Sequence, residues 1–161
     1  MAARFSDAEI AAMLAEPKIL PSGFWAKTEP RSKRGHSESE CAASGSTGRD
    51  YRLILRQNDR NPLDFSLIIG HLPSGSSLLF RLRRYNGKHQ HSNIIESTRF
   101  DDFHVHRATE RYQLLGMKED SYAEPSSSYS DINGALRCAI ADCAFEIASP
   151  GQRHIMEMLS C

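Results

Sequence analysis

Between Tyr51 and His106, apolar side chains recur at every second position in four short runs separated by turn-forming residues. A period of two is the signature of a strand with one buried face. Tyr51 to Gln57 alternates around Leu53 and Leu55, and Asn58-Asp59-Arg60-Asn61-Pro62 follows as a turn. Phe65 to Ile69 places Phe65, Leu67 and Ile69 on one face, before the turn Pro73-Ser74-Gly75-Ser76. Leu78 to Tyr85 sends Leu78, Phe80 and Leu82 inward and Arg81, Arg83 and Tyr85 outward. Arg99 to His106 sends Phe103 and Val105 inward and Asp102, His104 and His106 outward. Short turns between consecutive strands predict an antiparallel meander.

Two segments read as helices. Ser6 and Glu9 have capping-box spacing ahead of Ile10, Met13 and Leu14, and Pro17 stops a helix that runs from Ser6 to Ala15. The longer pattern is Asp131 to Ile147, where Ile132, Ala135, Leu136, Ala139, Ile140, Cys143, Ala144 and Ile147 share a wide apolar face. Arg107 to Leu115 fits either a helical turn or a further strand, and Arg153 to Leu159 a short last helix. Thr28 to Arg49 is rich in Ser, Gly and charge and predicts a flexible loop at 28–49. The expected architecture is one α+β domain over 1–161: two layers, an antiparallel sheet of four or five strands packed on one long C-terminal helix.

The 161 residues carry 20 basic and 20 acidic side chains, so no global positive field exists to draw in nucleic acid, and any such attraction must be local. No apolar run is long enough for a membrane span, and the first residues lack the apolar run of a secretory signal. A cytoplasmic setting without a membrane partner is expected. Cys41, Cys138, Cys143 and Cys161 have neither zinc-ribbon nor disulfide-framework spacing and read as structural thiols. Trp25, the single tryptophan, reads as a core or lid aromatic.

Chemistry concentrates in two His-x-His units, His89-Gln90-His91 and His104-Val105-His106, which hold four of the seven histidines. On a strand, residues i and i+2 share a face, so each unit presents two imidazoles together. Strand parity directs His104 and His106 away from the core; the facing of His89 and His91 depends on how Asn86-Gly87 bends the chain. Arg81, Arg83, Arg84, Lys88, Arg107 and Arg111 surround them as candidate nucleic-acid or anion contacts. One mechanism needs no metal and no cofactor: His104 and His106, with His91 and Tyr112 as further groups, exchange protons with a ribose 2′-hydroxyl and a leaving oxygen, and Arg83 or Arg107 clamps the phosphoryl charge. A second mechanism places Zn, Ni or Mn on His89, His91, His104 and His106, or on three of them with Asp102. Arg84-x4-His89 matches a spacing seen in helical ribonucleases, but Asn86-Gly87 interrupts it.

The run Arg84-Tyr85-Asn86-Gly87-Lys88-His89-Gln90-His91-Ser92-Asn93, with the later Phe103-His104-Val105-His106, resembles a small family of uncharacterised bacterial proteins that share Gly-x-His-x-His-x-Asn and a later His-x-His. The resemblance covers residues 78 to 115. Members occur among mobile-element, phage-related and toxin–antitoxin genes, which implies a nuclease-like or phage–host conflict role and assigns no catalytic residue. The expected function is a small RNA-directed protein, an endoribonuclease of toxin type. The alternatives are a non-enzymatic inhibitor, anti-CRISPR or antitoxin-like, that binds nucleic acid or an acidic protein or nucleoprotein surface, and a histidine-ligated metal-binding protein.

Overall fold

A computed structural model of the protein describes residues 3–24 and 31–148, the side chains of 31–33 excepted. Trp25, Cys161 and the expected helix at 153–159 lie outside the described residues. In chain order the elements are α1 (Asp7–Ala15), β1 (Lys18–Leu20), β2 (Arg31–Lys33), β3 (His36–Gly45), β4 (Asp50–Asn58), β5 (Phe65–Leu72), β6 (Phe80–Asn93), β7 (Thr98–Arg107), α2 (Glu110–Leu114), β8 (Tyr122–Pro125), α3 (Ile132–Asp142) and β9 (Phe145–Ile147). One sheet runs β8-β7-β6-β5-β4-β3-β1-β9, and β2 pairs with β3. Only the β1–β9 pair is parallel among the described strands.

The expected meander is present as β4 to β7, but the expected four or five strands on one long helix are not. The sheet is mixed and nearly twice as wide, and three helices are described. Two local causes account for the difference. The helix predicted to reach Ile147 ends at Asp142; Ala144 takes a left-handed φ of 57°, and Phe145 to Ile147 pair with β1 instead. Residues 36–45, expected within a loop, form a strand between β4 on one side and β1 and β2 on the other. Its apolar contribution to the core is only Cys41 and Ala43, while Glu38 pairs across the strands with Arg56 at 2.8 Å. Backbone pairing along β4, with β2 at residues 36–38 and β1 at 44–45 on the other edge, holds this polar strand in place more than side-chain burial does.

The core lies on one face of the sheet. Tyr51, Leu53, Leu55, Phe65, Leu67, Ile69, Tyr85 and Val105 meet Ile10 and Met13 of α1 and Ala135, Leu136 and Ala139 of α3 there. The capping box forms as predicted: Ser6 Oγ accepts from the Glu9 amide and Glu9 Oε2 accepts from the Ser6 amide. Asp131 caps α3 through the Gly134 amide at 2.7 Å.

Two irregularities in β6 set which residues face the core. Arg83 pairs with Ile69 but Arg81 with Gly70, so one residue is extra there. The second lies between Asn86 and His89, which face His104 and Asp102 respectively, three steps on one strand against two on the other. Each extra residue reverses the inward and outward faces. Tyr85, expected outside, is therefore in the core, 1% exposed. Arg83 shares its face, because Arg83 and Tyr85 lie opposite Arg107 and Val105. The second irregularity turns His89 and His91 back to the face of His104 and His106. Gly87 sits inside it; a Cβ there would lie 1.8 Å from the Leu63 carbonyl oxygen.

Candidate metal centre

The β6–β7 ribbon bends over the face opposite the core. Asn93, paired with Thr98 near the ribbon's tip, bonds through its side chain to both backbone groups of Ala123, the residue facing His106 on β8. The tip is thus folded back to the ribbon's base, and the imidazoles line the concave side. His104 and His106 are 0% and 4% exposed, against the expectation of an open surface pair. His91 is half-buried and His89 exposed.

The rings meet as a cluster. Ring centroids are 4.7 Å apart for His91 and His106, 5.0 Å for His104 and His106, and 5.5 Å for His91 and His104. One ring nitrogen from each of the three lies within 4.8 Å of the other two. Tetrahedral coordination at about 2.0–2.1 Å puts ligand nitrogens roughly 3.3 Å apart, so the rings would have to draw closer to hold an ion. Phe100 walls the cluster, 5.4 Å from the His104 ring and 5.6 Å from that of His91. His89 touches His104 at 4.7 Å between centroids, but neither it nor Asp102 belongs to the group whose ligand atoms converge.

Hydrogen bonding fixes the tautomer of all three rings. His104 Nδ1 lies 2.7 Å from the Asp102 carbonyl and His106 Nδ1 2.8 Å from the Asp120 carbonyl. A carbonyl only accepts, so both Nδ1 atoms carry the proton and both Nε2 atoms keep a lone pair. His91 Nε2 lies 3.0 Å from Asn93 Oδ1. The Asn93 amide has one orientation, since Nδ2 donates to the Ala123 carbonyl at 2.7 Å and to Thr98, and Oδ1 accepts from the Ala123 amide. His91 must therefore donate from Nε2, which makes Nδ1 its candidate ligand atom. Asn86 Nδ2 faces the bare His104 Nε2 at 3.5 Å, a weak bond that an ion would outcompete. Oriented imidazoles that spend one N–H on a protein oxygen and keep the other nitrogen free are the usual state of metal-binding histidines.

Burial pushes His104 down to about 4, with the neighbouring His89, His91 and Arg84 adding to the shift. Burial, Arg84 and His104 push His106 down to about 2. Both rings are neutral near pH 7, the form that ligates a metal and not one that donates a proton.

The arginines are dispersed. Arg81 and Arg84 share the histidine face but are engaged by acids: Arg84 Nε meets Asp120 Oδ2 at 3.0 Å, and Arg81 lies 3.4 Å from Glu119 and 3.7 Å from Asp120. Arg83 and Arg107 face the core side, so neither can clamp charge beside His104 or His106. Arg111 pairs with Glu96 and lies over the Tyr122 ring, while Lys88 is exposed on the irregular turn of β6. Tyr112 is buried in α2 and donates to Glu96 at 2.6 Å. It borders, with His91, His106, His89 and Arg84, a cavity of about 330 Å³ beside the cluster. Asn86, Asn93 and Asp120 were given no site role in the sequence, although His91-x-Asn93 has the i, i+2 spacing that puts both on one face.

Comparison with protein-family models, curated proteins and solved structures returned no match. Among the described residues, no helix is long and apolar enough to cross a membrane.

Proposed function

We propose that the protein binds one divalent transition-metal ion through His91, His104 and His106. The observation that carries this reading is that His91, His104 and His106 each bring a ring nitrogen within 4.8 Å of the other two, while a protein oxygen holds the opposite edge of each ring. Three nitrogen ligands and no thiolate suit Zn²⁺, with Ni²⁺ next, better than the oxygen-preferring Mn²⁺. Three protein ligands leave a coordination position open, as catalytic zinc sites do, and the adjoining 330 Å³ cavity supplies room for water or a small ligand. A bound ion of this kind lowers the pKa of water toward neutrality and polarises a substrate oxygen. The chain's own groups orient the rings and screen the site: Asn93 and the Asp102 and Asp120 carbonyls hold the N–H groups, and Phe100 forms a dry wall.

The metal-free ribonuclease reading has less support. It needs a histidine that is protonated near neutral pH and an unpaired arginine beside it. His104 and His106 are neutral there, and the arginines of that face are matched by Glu119 and Asp120.

Calorimetry on chelator-treated protein, with metal content measured after dialysis, tests the proposal. One Zn²⁺ per chain is expected, with affinity falling about 100-fold or more in His91→Ala, whose half-buried position makes it the variant most tolerant of truncation. Wild-type protein that is folded by circular dichroism yet retains no Zn²⁺, Ni²⁺ or Mn²⁺ would overturn it.

A further inference from the structure

The opposite face of the same two strands carries a second, separate feature. Arg83 and Arg107 are direct cross-strand partners, and like charges in that position repel. Arg83 has a buried Nε with no hydrogen-bond partner, and the buried Arg107 Nε has only a poorly aligned ion pair with Glu124 at 3.2 Å. Buried donors in folded proteins are nearly always satisfied, so the orphaned Arg83 Nε beside a second, poorly matched guanidinium requires an explanation. Arg107 borders a cavity of about 270 Å³ with Tyr85, Tyr129 and the three consecutive serines Ser126, Ser127 and Ser128. Arg83 lies within electrostatic reach of Tyr85, which lines that cavity, and of Cys143.

We propose that Arg83 and Arg107 form a binding site for a tetrahedral oxyanion of the phosphate class, completed by the serine loop. A dianion between the two guanidinium groups removes their mutual repulsion and supplies an acceptor for the orphaned Arg83 donor; the planar guanidinium fork is suited to that task. Two carboxylates also line the cavity, those of Glu124 and Asp142. Glu124 Oε2 lies 3.2 Å from Arg107 Nε but sits at the rim, its side chain 47% exposed. Asp142 Oδ2 is occupied by the Tyr85 hydroxyl at 2.8 Å. The site lies across the sheet from the histidines and does not depend on a metal.

Amide chemical-shift titration of the full chain with inorganic phosphate tests the site, and ribose 5-phosphate in a parallel titration distinguishes a free anion from a phosphate ester. Saturable shifts are expected at Ser126 to Ser128 and around Arg107. Arg83→Gln and Arg107→Gln should each weaken binding about tenfold or more, while Arg83→Lys and Arg107→Lys, which keep the charge and lose the fork, fall between. Tighter binding of ribose 5-phosphate than of phosphate would identify an ester site. Zn²⁺ affinity should be unchanged in all four variants. Absence of saturable shifts in the serine loop, or shifts that persist in both Gln variants, would overturn the assignment. So would phosphate shifts confined to the histidine face.

Discussion

Asn93 Oδ1 accepts the Nε2–H of His91 at 3.0 Å, and that bond decides which nitrogen of His91 faces the cluster. Asn93 can do this because Ala123 fixes its amide from both sides. Asn93→Ala should weaken Zn²⁺ binding about 10- to 100-fold, the usual effect of removing a partner behind a metal-binding histidine. The His91 ring ¹⁵N shifts should then report a mixture of tautomers in place of the Nε2–H form. A variant that loses affinity with the tautomer intact would show that Asn93 acts only by holding the ribbon closed.

The bend that closes the site rests on Gly87, because any Cβ there would collide with the Leu63 backbone. Gly87→Ala should cost about 2–4 kcal/mol in urea unfolding, and Zn²⁺ affinity should fall with it as the ribbon shifts. Unchanged stability would mean that the chain relaxes around the methyl group and that the close approach is incidental.

Glu16 is buried, and its carboxylate accepts from the Thr47 amide and hydroxyl, Tyr51 and Arg49. Burial pushes its pKa up, but these hydrogen bonds outweigh burial and hold it at about 2. The folded value lies below the unfolded one, so the carboxylate stabilises the fold fully above about pH 4.5, and that contribution is lost as pH falls toward 2. Its size is about 3 kcal/mol at most. Glu16→Gln should be clearly less stable than wild type at pH 7, and the gap should narrow steadily below pH 4.5. A gap independent of pH would place the effect in packing.

Lys18 is fully buried and donates from Nζ to the carbonyls of Leu14, Glu16 and Cys143 at 3.1, 2.9 and 2.6 Å. It thereby caps the C-terminal ends of α1 and α3 and ties β9 to β1. Lys18→Met keeps the stem and strands three acceptors, which predicts a loss of about 2–4 kcal/mol. Hydrogen exchange should rise first at the Lys18 amide, which donates to Ala144, and at the Ala148 amide, which donates to Leu20. Uniform acceleration across the whole sheet would instead mean that the pair β1–β9 unfolds only globally.

The period-two runs of β4, β5 and β7 and the Ser6–Glu9 cap were legible because each follows from local geometry. So was the pairing of imidazoles within each His-x-His unit. Strand β3 was not legible: Ser37, Glu38, Ser39 and Glu40 have no strand-like pattern, and pairing along β4, with β2 beside residues 36–38, makes the segment extended. Phe145 to Ile147 continue a helical apolar pattern, yet the free edge of β1 captures them as a strand. Arg83 and Tyr85 were assigned to the wrong face because one extra residue in β6 reverses parity without any marker in composition.

The sequence alone determined that His89 and His91, and separately His104 and His106, share a strand face, because a strand repeats every two residues. It also marked Asn86-Gly87 as a place where the register can reset, which is one of the two irregularities of β6. Only the tertiary structure decided that the β6–β7 ribbon folds back, that His91 joins His104 and His106 while His89 stays at the lip, and that Arg83 and Arg107 lie across the sheet. The reason is physical: side-chain direction within a strand is set by neighbouring backbone atoms, whereas the curvature of a ribbon and the burial of its concave face are set by partners distant in sequence, here Leu63, Asp120 and Ala123.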